Sequence, residues 1–420
     1  MINKNGIFKL IILITVIAML GAGLAGCAPK PSGGADENNG DQGEVSNVEP
    51  VKIGVLAPLT GGLASIGEQL KNGNELAAKM INENGGIKSL GGAPLELIFL
   101  DGEGRQEVAM GEVERAIDQE KVSVVTGSFH SPSAMGATQV AERLKTPYLI
   151  QVAGADDITN RGFNYVTRVS VNLFKYGYDA VSYFDWLNKE KDAGIKKIAL
   201  IFEDADFGQS TAKGSKEAIK DLGFELALDL SYPAASTQNM TPYVSKIKAA
   251  NVDAVIATSF IADALLLADS IEELGLDAIK LGISGGFADP LFAENIGSKV
   301  ESWFLADNFN TDIPGIEEVN NKYSETYNSK MGGHAAHAYQ SILIIADAIE
   351  RAASRDRDDI NNALKETSIT DSSKIIVPYK AIEFDEKGQN IYAEPVVIQY
   401  QDGERKTVFP SKFATSEPKF

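Results

Sequence analysis

Eleven residues, Gly127 to Ala137, set two glycines, three serines, His130 and Pro132 into one short run, GSFHSPSAMGA. Two chemistries use such a set. A serine beside a histidine is the start of a nucleophile and its base, and Ser131 next to His130 is the economical pairing. The nucleophile elbow reads GxSxG, however, and Gly127-Ser128-Phe129-His130-Ser131 has no closing glycine. The second chemistry is anion binding. An apolar stretch precedes the loop and a helical pattern follows it. Pro132 presets the first helical turn, Ser131 caps it, and unpaired N–H groups face the loop. Such a helix start suits a carboxylate.

Other motifs carry less. Asp101-Gly102-Glu103-Gly104 invites a dinucleotide reading, but position 107 is Glu where a third glycine belongs, and the run follows a second strand, not a first. No GxxxxGK[ST] occurs. His334 and His337 sit three apart in a helical stretch, without a carboxylate or cysteine at matching spacing, so they read as packing residues before metal ligands. Cys27 is the only cysteine, which excludes an internal disulfide and a Cys pair for redox or metal chemistry. No cofactor or metal is expected.

These loops need a scaffold, and the chain from Val51 supplies a repeating one. VKIGVLAPL reads as a strand, the run through Leu70, Leu76, Ala77, Met80 and Ile81 as a helix, and LELIFLDGE as a strand again. EKVSVVTG and TPYLIQVAG continue the series. Past Tyr165 the order restarts at KKIALIFEDADFGQS, with NVDAVIATSF and IKLGISGGF as later strands. Strands alternating with helices imply mainly parallel sheets covered on both faces. The fold class is α/β, with two similar lobes; if the lobes face each other, their strand ends line one cleft. The tail is helical from Ile313 to Ser354, and AIEFDEKGQNIYAEPVVIQYQDGERKTVF reads as a strand pair around Asp385 to Gln389. The chain therefore crosses between lobes more than once.

The N-terminus is different. Lys4 and Lys9 accompany the short apolar run Ile7 to Leu20, followed by small residues, as in an export signal. Leu24-Ala25-Gly26-Cys27 resembles the bacterial lipobox, so residues 1–26 are expected to be removed and Cys27 to carry lipid, palmitate included. Residues 28–50 are rich in Gly, Pro, Asn, Asp and Glu and read as a tether. The net charge of −19 becomes −21 once Lys4 and Lys9 are lost, from 37 basic against 58 acidic residues. A surface so negative repels nucleic acid.

VKIGVLAPLTGGLASIGEQLKNGNELAAKMINENGGI, VVTGSFHSPSAMGA, EDADFGQS and FDEKGQ together resemble the leucine/isoleucine/valine-binding proteins, over Val51 to Tyr400 in the same order. These are extracytoplasmic receptors that feed ABC transporters. The resemblance implies a type I periplasmic binding protein, two Rossmann-like lobes joined by a three-crossing hinge. It divides the chain into lobe 1 (51–170), lobe 2 (171–305), a return to lobe 1 (306–382) and a third crossing with the last strands of lobe 2 and the tail (383–420).

By the same resemblance, the ligand carboxylate is held by Ser131 and by the loop Gly154-Ala155-Asp156. Phe207 and Phe260 are the aromatics of the second lobe, and Ile66 stands where the family often has an aromatic. Two positions depart from the pattern. Ser284 stands where an acidic residue pairs with an ammonium group, and Asp156 replaces a threonine near the expected carboxylate, where it would repel the ligand unless it pairs with a cation. Asp157, Asp263 and Asp289 are further cation partners to weigh.

The expected function is capture of an amino acid, branched-chain or related, by a membrane-anchored lipoprotein that delivers it to ABC permease subunits. The alternatives are a module for an aromatic acid, amide or amine, a sensory receptor partner, and a Ser131/His130 hydrolase.

Overall fold

A computed structural model describes residues 48–420. The expected leader 1–26, the lipid-bearing Cys27 and the tether as far as residue 47 lie outside the described residues. Fourteen strands fall into two large sheets and one small one among the described residues.

The first sheet holds β1 (Val51–Ala57), β2 (Leu95–Asp101), β3 (Val124–Gly127), β4 (Tyr148–Ile150) and β5 (Val166–Arg168) in the order β2-β1-β3-β4-β5. Every pairing in it is parallel. Parallel strands need helical crossovers, which cover both faces and favour the near-continuous Val, Ile and Leu runs read from the sequence. Close approach explains one glycine of the serine-rich loop. Gly127 has φ +119°, and a Cβ there would lie 2.1 Å from the Leu56 carbonyl oxygen of β1. Any larger residue would break the β1–β3 pairing from which the loop departs.

The second sheet holds β6 (Lys197–Glu203), β7 (Glu225–Tyr232), β8 (Ala254–Thr258), β9 (Ile279–Ile283) and β10 (Trp303–Asp307). After β11 (Ser368–Ile369) and β12 (Ile382–Glu383), which pair only with each other, β13 (Val396–Gln401) and β14 (Glu404–Phe409) return to it. Its order is β14-β13-β10-β9-β8-β6-β7, with β13 antiparallel to β10 and β14 antiparallel to β13. The chain passes between the sheets three times: after β5, after β10 and before β13. Between the last two passages, the helix Gly333–Ala352 packs on the helix Ala64–Glu83 beside the first sheet.

One detail of the tail differs from expectation. The antiparallel pair turns at Asp402-Gly403, whose φ values of +55° and +80° suit a two-residue hairpin loop. Asp385 to Gln389 forms a second, smaller turn, closed by the antiparallel bridge between Phe384 and Asn390, with the Asp385 N–H donating to Gln389 O and the Gly388 N–H to Asp385 O. That turn docks on the edge of the first sheet, where the Arg168 N–H donates to Gly388 O and the Asn390 N–H to Arg168 O. The Asp-Gly pair was the stronger hairpin signal, and the docking of 385–389 on β5 is a contact more than two hundred residues distant in sequence.

Candidate functional site

Between the two sheets, at the carboxyl ends of their parallel strands, lies a cleft of about 810 Å³ measured to its mouth. One wall comes from the first lobe: Phe129 to Pro132 after β3, with Val152 and Gly154 after β4. The opposite wall comes from the second lobe: Glu203 and Phe207 after β6, Phe260 after β8, and Ser284 with Gly285 after β9. The floor is made where the chain passes between lobes, by Tyr176, Asn308 and His334.

Ser131 is the first residue of the helix Ser131–Arg143, with His130 in the N-cap position. The expectation that Ser131 caps this helix is therefore corrected. Its hydroxyl accepts a hydrogen bond from the Ala155 N–H at 3.2 Å, which ties the two loops of the first wall together. With Pro132 lacking an N–H, the first turn has few donors of its own, and those it has sit at the positive end of the helix. His130 does not pair with Ser131. Its Nδ1 lies 3.3 Å from the Ser133 hydroxyl, and burial lowers its pKa.

The expected site residues separate into two groups. Ser131, Phe207, Phe260 and Ser284 line the cleft. Phe207 and Phe260 form a tilted pair with ring centroids 5.2 Å apart, and Phe260 is 42% exposed, unusual for so large an apolar side chain. Ser284 has φ +35°, a left-handed value that turns the chain sharply at the end of β9.

Ile66, Ala155 and Asp156 are not on the cleft lining. Ile66 is half-buried in the first turn of the helix Ala64–Glu83. Ala155 and Asp156 line a neighbouring crevice of about 900 Å³, facing Asp206, Ser210 and Lys213 of the second lobe. In that loop the residues on the cleft are Val152 and Gly154. The expected repulsion between Asp156 and a ligand carboxylate thus gives way to another arrangement. Burial raises the Asp156 pKa, while the Phe174 N–H, donating to it at 3.2 Å, and the charges of Arg168 and Lys213 oppose that rise. The cation partners belong to the protein.

Arg168 was not singled out by sequence, and it organises the first wall. It is fully buried and donates to the carbonyls of Ala153 (3.2 Å) and Ala155 (2.7 Å), to the Thr159 hydroxyl (3.2 Å) and to Gln389 Oε1 (2.6 Å). One guanidinium therefore holds the loop after β4 against the turn at 385–389. Glu203 was likewise passed over. Its carboxylate is buried and accepts from the N–H groups of Ala205 (2.8 Å) and Gly208 (2.6 Å), capping the helix Asp206–Leu222 from the cleft side.

The floor has a different character. Among the described residues, the Tyr176 hydroxyl, Asn308 Oδ1 and His334 Nδ1 are buried atoms with no hydrogen-bond partner, and all three residues face the cleft. Buried polar atoms without partners are rare, and a cluster of them marks a place where something else binds. Nothing local in the sequence reveals them, because they come from three segments brought together by the crossings. His337, by contrast, uses both ring nitrogens internally: Nδ1 donates to Gly333 O at 2.9 Å and Nε2 meets the Tyr379 hydroxyl at 2.8 Å. No group of three or more metal-ligating side chains occurs among the described residues.

Comparison with known proteins places this geometry. A family model described as periplasmic binding protein matches residues 50–404. Leu/Ile/Val-binding protein homolog 7 of Brucella suis biovar 1 (strain 1330) is 32% identical over 382 residues, 87% of this chain and 93% of the relative. Two solved structures share the fold. The branched-chain amino acid transporter substrate-binding protein LivJ of Streptococcus pneumoniae, in complex with isoleucine, superposes with a TM-score of 0.73 at 21% identity, covering 86% of this chain and all of that one. An ABC transporter solute-binding protein of R. palustris in complex with benzoate gives 0.71 at 19% identity, covering 88% and 98%.

Proposed function

This chain belongs to the Leu/Ile/Val-binding proteins of the periplasmic binding protein family, and from that premise we propose that it captures a small carboxylate, an amino acid or a close relative, and delivers it to an ABC importer. The observation that carries the reading is the cleft itself, at the strand ends of two sheets, with Ser131 and a helix start on one wall and the Phe207–Phe260 pair on the other. A carboxylate fits the first wall, and an apolar body fits the second. Glu203 adds negative charge to the far wall, so the polarity across the cleft favours a ligand whose anionic end points to Ser131. A ligand touching both walls stabilises the closed arrangement of the lobes more than the open one.

In this reading lobe 1 comprises 51–170 and 306–382, lobe 2 comprises 171–305, and 383–420 forms the third crossing with the last strands of lobe 2 and the tail. Binding is preferred to hydrolysis because His130 pairs with Ser133 while the Ser131 hydroxyl is engaged by Ala155. The lipobox-like run ending at Cys27 supports an extracytoplasmic protein held to the membrane by lipid. Loss of detergent-phase partitioning in Cys27→Ser checks this, and unchanged partitioning would sink it.

Calorimetry with leucine, isoleucine and benzoate tests the binding reading. Ser131→Ala removes one hydrogen bond to a charged group, worth about 1.5–3 kcal/mol, so affinity for any carboxylate that binds is expected to fall by roughly 10- to 150-fold. Asp156→Asn, outside the cleft, is expected to change it by less than about threefold, under 1 kcal/mol. A Ser131→Ala protein that binds as tightly as the parent rules out Ser131 as a carboxylate clamp.

A further inference from the structure

The polar atoms on the cleft floor ask for a partner of definite chemistry. Tyr176 and Asn308 are each 3% exposed, and with His334 they present a hydroxyl, an amide oxygen and a ring nitrogen without a well-formed hydrogen bond, the Ser284 hydroxyl being the one polar neighbour of the Tyr176 hydroxyl. All three groups are uncharged at neutral pH. Burial holds the His334 imidazole below its ordinary pKa and the Tyr176 hydroxyl well above its own.

Charge on the ligand at this spot would need a counter-charge. Glu203 follows β6, and β6 is separated from β10, which Asn308 follows, by β8 and β9. Three strand spacings of roughly 4.8 Å put it on the order of 14 Å away. Its two oxygens are also committed to Ala205 and Gly208. Asp307 adjoins the floor, but its carboxylate accepts from Arg405 at 3.0 Å and from the Asn308 N–H at 2.7 Å. Ser284, one strand from Asn308, brings a hydroxyl and no charge. Asp289, whose charge also reaches His334, caps its own helix by accepting from the Leu291 N–H at 2.9 Å, so an ammonium group placed here would lose its hydration against partners that are neutral or already engaged. A ligand hydroxyl suits the floor better: it donates to Asn308 Oδ1, which can only accept, and accepts from the Tyr176 hydroxyl.

The floor also adjoins the carboxylate wall. The His334 ring packs edge-on against Phe129 with centroids 5.0 Å apart, and Phe129 lies two residues before Ser131. The His334 end of the floor therefore adjoins the wall that takes the carboxylate, which favours a group close to the carboxylate in the ligand. We propose that Tyr176, Asn308 and His334 form a subsite for an uncharged hydroxyl next to the ligand's carboxylate, so that the chain selects a 2-hydroxy acid with an apolar body over the corresponding 2-amino acid. This rests on the carboxylate-binding reading above and names the class of solute within it.

Two matched probe sets test the selection by calorimetry on the purified protein. One is leucine, 2-hydroxy-4-methylpentanoate and 4-methylpentanoate, and the other is phenylalanine, 3-phenyllactate and 3-phenylpropanoate. The expected result, in at least one set, is that the hydroxy acid binds at least tenfold more tightly than both the amino acid and the unsubstituted acid. Tyr176→Phe, which keeps the ring and removes only the hydroxyl, should bring the hydroxy acid down to the unsubstituted acid while leaving the melting temperature in place. An amino acid, or an unsubstituted acid, that matches or exceeds the hydroxy acid in both sets overturns the inference and leaves carboxylate binding intact, as does a Tyr176→Phe protein that keeps the preference. Failure of all six probes to bind overturns the carboxylate-binding reading as well.

Discussion

Arg168→Met is expected to lower stability by about 3–5 kcal/mol and to abolish tight ligand binding. Two opposing effects decide the sign. Burial pulls the guanidinium pKa down to about 10, with Asp156 and Asp385 countering, so holding the charge inside the lobe costs on the order of 3 kcal/mol. Against this stand four hydrogen bonds from a charged donor, each worth roughly 1.5–3 kcal/mol. The bonds win. Methionine matches much of the volume but leaves the carbonyls of Ala153 and Ala155 without their donor. At roughly 2 °C per kcal/mol for a chain of this size, the melting temperature should drop by about 6–10 °C. The loop after β4 and the turn at 385–389 lose their common tie, so ligand affinity should fall even at temperatures where the variant remains folded. A thermal scan within 2 °C of the parent, with unchanged affinity, would show that Arg168 positions nothing.

Acidification should weaken the fold over a defined window. Burial lowers the His337 pKa to about 4, against an ordinary value of 6.5, although its bond to Gly333 O works the other way. The folded protein therefore binds fewer protons at this site than the unfolded chain between those values. The stabilisation is fully present above pH 6.5 and is lost as pH falls through the window, to a total of about 3 kcal/mol by pH 4. Burial lowers the pKa of His130 and His334 too, and both act in the same sense. Asp156, Asp179 and Asp263 are pushed up by burial and oppose the trend at its acid end. The interval from pH 6.5 to 5 is therefore diagnostic. Urea midpoints there should fall steadily in the parent and less steeply in a His337→Gln protein, and equal slopes in the two would mean that His337 is not held neutral by its surroundings.

What could be read in advance was set by local pattern. Apolar runs separated by small-residue loops and amphipathic helices are consequences of the 2.0 and 3.6 periodicities of strands and helices, and they placed β1 to β4, β6, β8 and β9 close to where they lie, while the short β5 and β10 were not distinguished. The loops after β3, β6, β8 and β9 follow from the same grammar, because parallel strands must deliver their carboxyl ends to one edge. Ser131, Phe207, Phe260 and Ser284 accordingly reach the cleft. Of the loop after β4, Gly154 reaches the cleft, while Ala155 and Asp156 do not. There the chain leaves the strand for an irregular turn, so alternation no longer tells which side chain faces the cleft, and Val152 joins Gly154 on the lining in place of Ala155 and Asp156.

The α/β class, the two lobes, the location of the cleft and its serine-bearing wall all follow from interactions between residues near in sequence, and the amino-acid sequence determined them. Tertiary structure decided the rest. Arg168 acquires its role only when residues 153–159 and 389 come together around it. The floor of Tyr176, Asn308 and His334 exists only because two separate passages between lobes converge at one point. Whether a buried polar atom is satisfied depends on partners from distant segments, and hydrogen bonds at that range leave no local pattern in the chain.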